Sequence, residues 1–165
     1  MSSVETDVTT LEDAMRLFFQ TMKRPHHWAR VTKRAGVSVD RPAAVILHTL
    51  MANQAGHCRV HDLAAQLGIE APSVTRKTQE LEQAGYLRRV PDPLDGRAIS
   101  LQVTPRGRTI GDRLWKAQRE IISQALTGWE AAERQQFVEL FQRFSNDLAG
   151  ASATDKQQLH TEGKR

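Results

Sequence analysis

From Arg88 to Gly107 the sequence reads RRVPDPLDGRAISLQVTPRG, and no other stretch narrows the possible folds as much. Two short β-type runs, Leu87 to Val90 and Ala98 to Val103, flank a turn containing Pro91, Pro93 and Gly96. Arg97 stands at the exit of the turn, and Asp95 lies two residues before it. This is the pattern of a β-hairpin with a cationic tip.

The residues just before it decide what such a hairpin belongs to. Leu63, Ala64 and Leu67 make a short apolar stripe that stops at Gly68; a second stripe, Val74, Thr78 and Leu81, starts after Pro72 and stops at Gly85. Two short helices joined by a tight turn form a helix-turn-helix. Pro72 suits a first helical turn, where a missing N–H costs nothing, and Gly85 suits a left-handed stop. Helix-turn-helix plus hairpin is the make-up of a winged helix-turn-helix, a reader of DNA.

Longer helices surround this unit. Leu11, Met15, Phe18, Phe19 and Met22 predict a first helix from near Thr10 towards Arg34, kinked or interrupted at Pro25. A second follows Pro42 and stops in the turn from Asn53 to Gly56. Thr104-Pro105 is a start signal, with a hydroxyl to cap free amides and a proline preset for the first helical position. It opens a long helix to about Thr127, and Phe137, Leu140, Phe141, Phe144 and Leu148 form the apolar face of a last one, from about Glu130 to Leu148. The expected fold is mainly α, with six helices and a small hairpin wing. Its regions are flexible tails at 1–9 and 149–165, helical segments at 10–36 and 105–148, and a winged helix-turn-helix at 37–104.

A chain of 165 residues, 25% charged and 39% hydrophobic, suits one soluble unit. No apolar run approaches the roughly 20 residues of a membrane span. The N-terminus has no secretory pattern and Cys58 is the single cysteine, which points to the reducing cytoplasm. Positive charge is concentrated in two places. Residues 21–41 carry six Lys/Arg against Asp40, a balance of +5, and residues 71–108 a balance of +3, while the remainder sums to −4. Such clustering favours a polyanionic partner.

On the second helix of the motif, Ser73, Thr75, Arg76, Lys77 and Gln79 are placed to meet base edges in a major groove. Arg76 can fork onto guanine, Gln79 can pair with adenine, and the hydroxyls can bond bases or phosphates. The hairpin tip can reach the neighbouring minor groove, whose negative potential attracts Arg97, and Asp95 is expected to hold that guanidinium in an aimed rotamer. Arg88 and Arg89 are phosphate contacts or solvated strand residues. His57, Cys58 and His61 would suit a soft metal by type, but Cys58 falls at an apolar strand position where it packs as a small hydrophobe. No catalytic motif, cofactor motif or metal site is read, and no enzyme is expected.

The order of elements over residues 10–148, and above all the run LAAQLGIEAPSVTRKTQELEQAGYLRRVPDPLDGRAISLQVTPRG from Leu63 to Gly107, resembles the MarR family of bacterial transcription regulators. The wing residues Asp95, Gly96 and Arg97, with Thr104 and Gly107, carry most of the likeness. The resemblance implies an intertwined homodimer joined through the first helix and the last two. It implies two winged lobes on a pseudo-palindromic operator, repression of transcription, and release by a small effector bound between the dimerisation and DNA-binding parts. By that analogy His26, His27, Trp28 and His48 lie near the effector pocket and suit an aromatic or anionic molecule, whereas Trp115 and Trp129 are core or dimer contacts. A ligand-independent DNA-binding activator and a protein-interaction module are the alternatives. Two departures stand out. Lys77 and Thr78 replace two residues that many members have as apolar, which implies a less deeply anchored reading helix, and Arg59 replaces a capping Ser or Thr at a helix start.

Overall fold

The computed structural model describes the backbone of residues 3–162 and the side chains of residues 4–151. Its first helix, α1 (Ser3–Lys23), does not run on through the proline. Arg24 is extended (φ −61°, ψ 136°), and α2 (Pro25–Ala35) starts afresh with the proline in its first turn. A proline ring crowds the residue before it out of helical geometry, so the chain is interrupted rather than bent. The described residues therefore hold seven helices rather than six. Residues 3–9, expected in a tail, are also helical. The last helix passes Leu148 to Glu162, through a polar stretch without proline and with Ala, Gln and Lys as good helix formers.

Polar signals mark the boundaries in the middle of the chain. α2 ends at Gly36, whose left-handed φ of 63° returns its amide to Lys33 O. α3 (Arg41–Ala52) is capped by Asp40, whose Oδ1 accepts from the Ala43 amide at 2.8 Å. α4 (Val60–Leu67) stops at Gly68 and α5 (Ala71–Gln83) begins with Pro72 in its first turn, so the helix-turn-helix lies where the stripes placed it. Then β1 (Leu87–Pro91) pairs antiparallel with β2 (Ile99–Val103), Leu87 facing Val103 and Pro91 facing Ile99. Cys58 adds a single bridge to the far side of Leu101.

The hairpin is fastened to α6 (Pro105–Ala125) by Thr104 and Gly107. Thr104 Oγ1 donates to Gly85 O at 2.7 Å and accepts from the Gly107 amide at 3.0 Å, capping α6 as expected. A side chain at Gly107 would run into the Tyr86 carbonyl, so only glycine lets the helix start this close to the wing's base. The final helix, α7 (Ala131–Glu162), follows.

Residues up to Ile121 form one compact unit and those from Ile122 another. In the first, α3, α4, α5 and the hairpin enclose a core in which Leu47, Leu63, Leu87 and Leu101 are fully buried, each contributing about 1.5–3 kcal/mol by leaving water. Val31 of α2 packs with Leu114, Ala117 and Ile121 of α6 in a second cluster. In the second unit Trp129, Phe137 and Phe141 form a chain of ring contacts, and Phe137, Leu140, Phe141 and Leu148 of α7 are exposed. Among the described residues no helix is long and apolar enough to cross a membrane.

Candidate nucleic-acid interface

α5 has two faces. Val74, Thr78 and Leu81, at helical spacing, point into the core, while Ser73, Arg76 and Gln79 are exposed on the opposite side. The expectation of a weakly anchored helix is overturned at Thr78. That side chain is fully buried and donates its hydroxyl to Thr75 O at 2.9 Å, so its polar atom is satisfied and its methyl packs like an apolar group. Thr75 is half-buried and donates to Ala71 O at 2.8 Å. Arg76 makes no hydrogen bond or ion pair among the described residues.

Lys77 differs from its neighbours. Its Nζ lies 2.7 Å from Asp40 Oδ2 and is also paired with the Glu80 carboxylate, with little of the side chain exposed. The hydrogen bonds to Asp40 and Glu80 raise the Lys77 pKa. Partial burial would lift the Asp40 pKa, but the Lys77 and Ala43 hydrogen bonds and the Lys77 charge outweigh it and leave it lowered. Lys77, expected among the base contacts, is engaged with Asp40 and Glu80 and ties α5 to the start of α3.

In the wing, the expected grip of Asp95 on the Arg97 guanidinium is replaced by another arrangement. Asp95 Oδ1 accepts the Arg97 backbone amide at 3.1 Å, and Oδ2 lies 3.5 Å from Arg59. The carboxylate faces the inside of the turn because the free amide is there. Arg97 is left exposed, its guanidinium without a partner among the described residues. What aims the tip is Asp92, which sequence reasoning passed over. It is buried and takes both arms of Arg59 (3.1 and 3.0 Å), the Ser100 hydroxyl (2.6 Å) and the Leu94 and Asp95 amides (3.1 Å each). Hydrogen bonds from Arg59 and then Ser100 hold its pKa far below the ordinary aspartate value. Arg59, at the start of α4, makes no side-chain cap and instead clamps the wing. The Asp-Pro step was the available signal, since such residues fold their carboxylates onto following amides.

The two strand arginines are held sideways. Arg88 Nε donates to Gln102 across the hairpin at 2.8 Å, and Arg89 Nε meets Glu82 of α5 at 3.0 Å, coupling wing to helix. Cys58 is buried, and burial, then the Asp62 charge, pushes its thiol pKa up, the opposite of a reactive thiolate. Among the described residues no group of three His, Cys, Asp or Glu could hold a metal.

A cavity of about 230 Å³ lies between α2, α3 and α6. His27, Trp28 and His48 line it with Arg41, Trp115 and Gln118. His26 does not; it is exposed, one residue further round α2 from His27. Trp115, expected in a core or dimer contact, is a wall of the cavity and meets His48 edge to face at 4.0 Å. Burial lowers the His48 pKa. Trp28 Nε1 donates to Val39 O at 2.9 Å, one residue before Asp40.

Residues 37–98 match the model of the MarR family. The chain is 31% identical over 58 residues to the HTH-type transcriptional regulator BilQ of Clostridioides difficile (strain CD3), an alignment spanning 35% of this chain and 39% of that protein. With the HTH-type transcriptional regulator YkoM of Bacillus subtilis (strain 168) it shares 24% identity over 145 residues, 87% of this chain and 91% of that one. The fold matches a MarR family protein from Bacillus stearothermophilus with a TM-score of 0.78 at 17% identity, covering 90% of this chain and 99% of the other. The exposed face of α5, the clamped wing and the family match coincide over one segment, and over residues 37–98 the chain is similar to the MarR family, whose winged-helix fold it shares.

Proposed function

We propose that the chain is a sequence-specific double-stranded DNA-binding regulator that acts as a homodimer and represses transcription until a small effector releases it. The carrying observation is the unpartnered Arg97 on a clamped wing, next to a helix that turns Ser73, Arg76 and Gln79 outward. Arg76 and Gln79 read base edges in the major groove, Ser73 and Thr75 bond bases or phosphates, Arg88 contacts the backbone, and Arg97 enters the minor groove. Lys77 and Asp95 position these groups rather than touch DNA. Dimerisation is supported by exposed apolar side chains on α1 (Val4, Val8, Leu11 and Phe18) and on α7 (Phe137, Leu140, Phe141 and Leu148), more than scattered surface residues would supply. A second copy covers them and sets two reading helices one DNA turn apart, about 34–36 Å.

The effector is a small aromatic or anionic molecule in the cavity, between the Trp28 and Trp115 rings with Arg41, His27 and His48 as polar contacts. A short route leads from there to the DNA face. The Trp28 indole holds Val39 O, and the next residue, Asp40, caps α3 and holds Lys77 of α5. An effector that moves Trp28 thereby favours a different seating of α5 and shifts the population away from the DNA-competent form.

Selection of duplexes from a random pool, followed by binding of each variant, tests this reading. The selected sites are expected to be inverted repeats with half-sites one turn apart, and Arg76→Ala is expected to lose about 1–3 kcal/mol of discrimination at particular base pairs. A pool that yields no common sequence contradicts sequence-specific reading.

A further inference from the structure

Leu94 is the most exposed large apolar side chain among the described residues, at 91%. It stands in the turn between β1 and β2, between Pro93 and Asp95, outside the packed core. An apolar side chain on a loose loop would be free to fold back, but this turn is braced. The Leu94 and Asp95 amides both donate to Asp92 Oδ1, Ala98 N donates to Asp95 O at 2.8 Å, and Pro91 and Pro93 fix the backbone leading into Leu94. Asp92 is anchored in turn by Arg59 and Ser100. Leu94 is thus presented to solvent three residues before the unpartnered Arg97. The two carboxylates at the tip, which would repel phosphates, both lie against Arg59. What the tip offers a partner is one isobutyl group and one guanidinium.

A minor groove takes that pair. It is about 6 Å wide, its walls are deoxyribose C–H groups, and its potential is negative. We infer that Leu94 is a second minor-groove contact, packing against the sugar walls and the floor while Arg97 meets the negative potential. The inference rests on the DNA-binding reading above and adds a specificity determinant to it. On A·T pairs the floor is open, whereas the guanine 2-amino group projects into the groove on G·C pairs and excludes an apolar group. Leu94 therefore selects A·T pairs under the wing, and because the contact carries no charge its contribution does not depend on salt.

The test measures binding of the full chain to short alternating d(A-T), d(G-C) and d(I-C) duplexes over a salt series. Inosine lacks the 2-amino group, so d(I-C) keeps much of the major-groove pattern of d(G-C) while opening the minor groove. The wild-type chain is expected to prefer d(A-T) and d(I-C) to d(G-C). Leu94→Ala is expected to weaken the two favoured complexes about tenfold and to remove the d(I-C) preference without altering the salt slope. Leu94→Met, which keeps the apolar contact, is expected to restore both. Arg97→Ala lowers the slope instead. The inference is overturned if Leu94→Ala binds all three duplexes like the wild type, or if its loss appears in the salt slope. A wild-type chain with no salt-dependent affinity for any duplex overturns the DNA-binding reading and this inference with it.

Discussion

The reading helix and the wing face one proposed partner, yet they are held by opposite means. α5 is seated by apolar packing of Val74, Thr78 and Leu81, with ion pairs of Lys77 and Glu82 only along its edges. The strands of the wing share that core through Leu87 and Leu101, but its tip is seated by charge: the tip follows Asp92, and Asp92 follows Arg59 and Ser100. Packing changes little with salt or pH, whereas an ionic clamp exists only while its members stay charged. The direction of the helix is therefore a property of the fold, and the direction of the wing is conditional on the ionisation of one buried carboxylate.

The largest effect is expected where packing is removed. Leu81→Ala should cost about 2–5 kcal/mol in denaturant unfolding and should loosen helix and wing together, because both share that core. A loss below about 1 kcal/mol would show that α5 is not seated by the core.

Asp92→Asn separates the two regions. Amides over 87–103 should exchange faster while those of α3 to α5 keep their protection, and duplex affinity should fall about two- to tenfold through lost preorganisation. Equal acceleration in both regions would contradict the division. Acid should act on the wild type in the same way. The Asp92 pKa is lower folded than unfolded, so its contribution is fully present above the ordinary value of 3.8 and is lost as pH falls from there through the folded value. Asp40 shifts in the same direction and adds to the loss over that range. Wing amides should therefore lose protection before core amides as pH drops below about 4. The smallest effect is expected from Asp40→Ala, which removes the cap of α3 and one partner of Lys77, at about 1 kcal/mol. Lys77 then keeps only Glu80 of its own helix, so α5 should stay in the core through Val74, Thr78 and Leu81 while losing its tie to the start of α3.

What was legible in the sequence was mostly what short-range chemistry decides. Gly68, Gly85, Pro72 and Thr104-Pro105 placed the helix-turn-helix and the start of α6, because each acts on backbone groups within a few residues. Pro25 announced a disturbance without saying whether the helix bends or stops. The helical backbone beyond Leu148 has no apolar periodicity to announce it, and the exposure of α1 and α7 was not visible in their amphipathic spacing. The interface residues divided similarly. The outward placement of Arg97 and Arg76 agrees with their position and type. Asp95 looked like the natural partner of Arg97 by proximity, but in a tight turn the free amides take the nearby carboxylates first. The clamp that orients the tip joins Asp92 to Arg59, 33 residues away, and the tether of Lys77 reaches 37 residues back to Asp40. Such pairings are made by the tertiary fold and leave no local pattern.

The most direct measurement is the affinity for a selected duplex as a function of salt, for the wild-type chain and Arg97→Ala. The wild type is expected to lose affinity linearly on a log–log plot, and Arg97→Ala to reduce the slope by about one per wing while keeping its preferred sequence. Affinity that is absent or indifferent to salt, or a slope unchanged by the substitution, would contradict a clamped wing that delivers Arg97 to the minor groove.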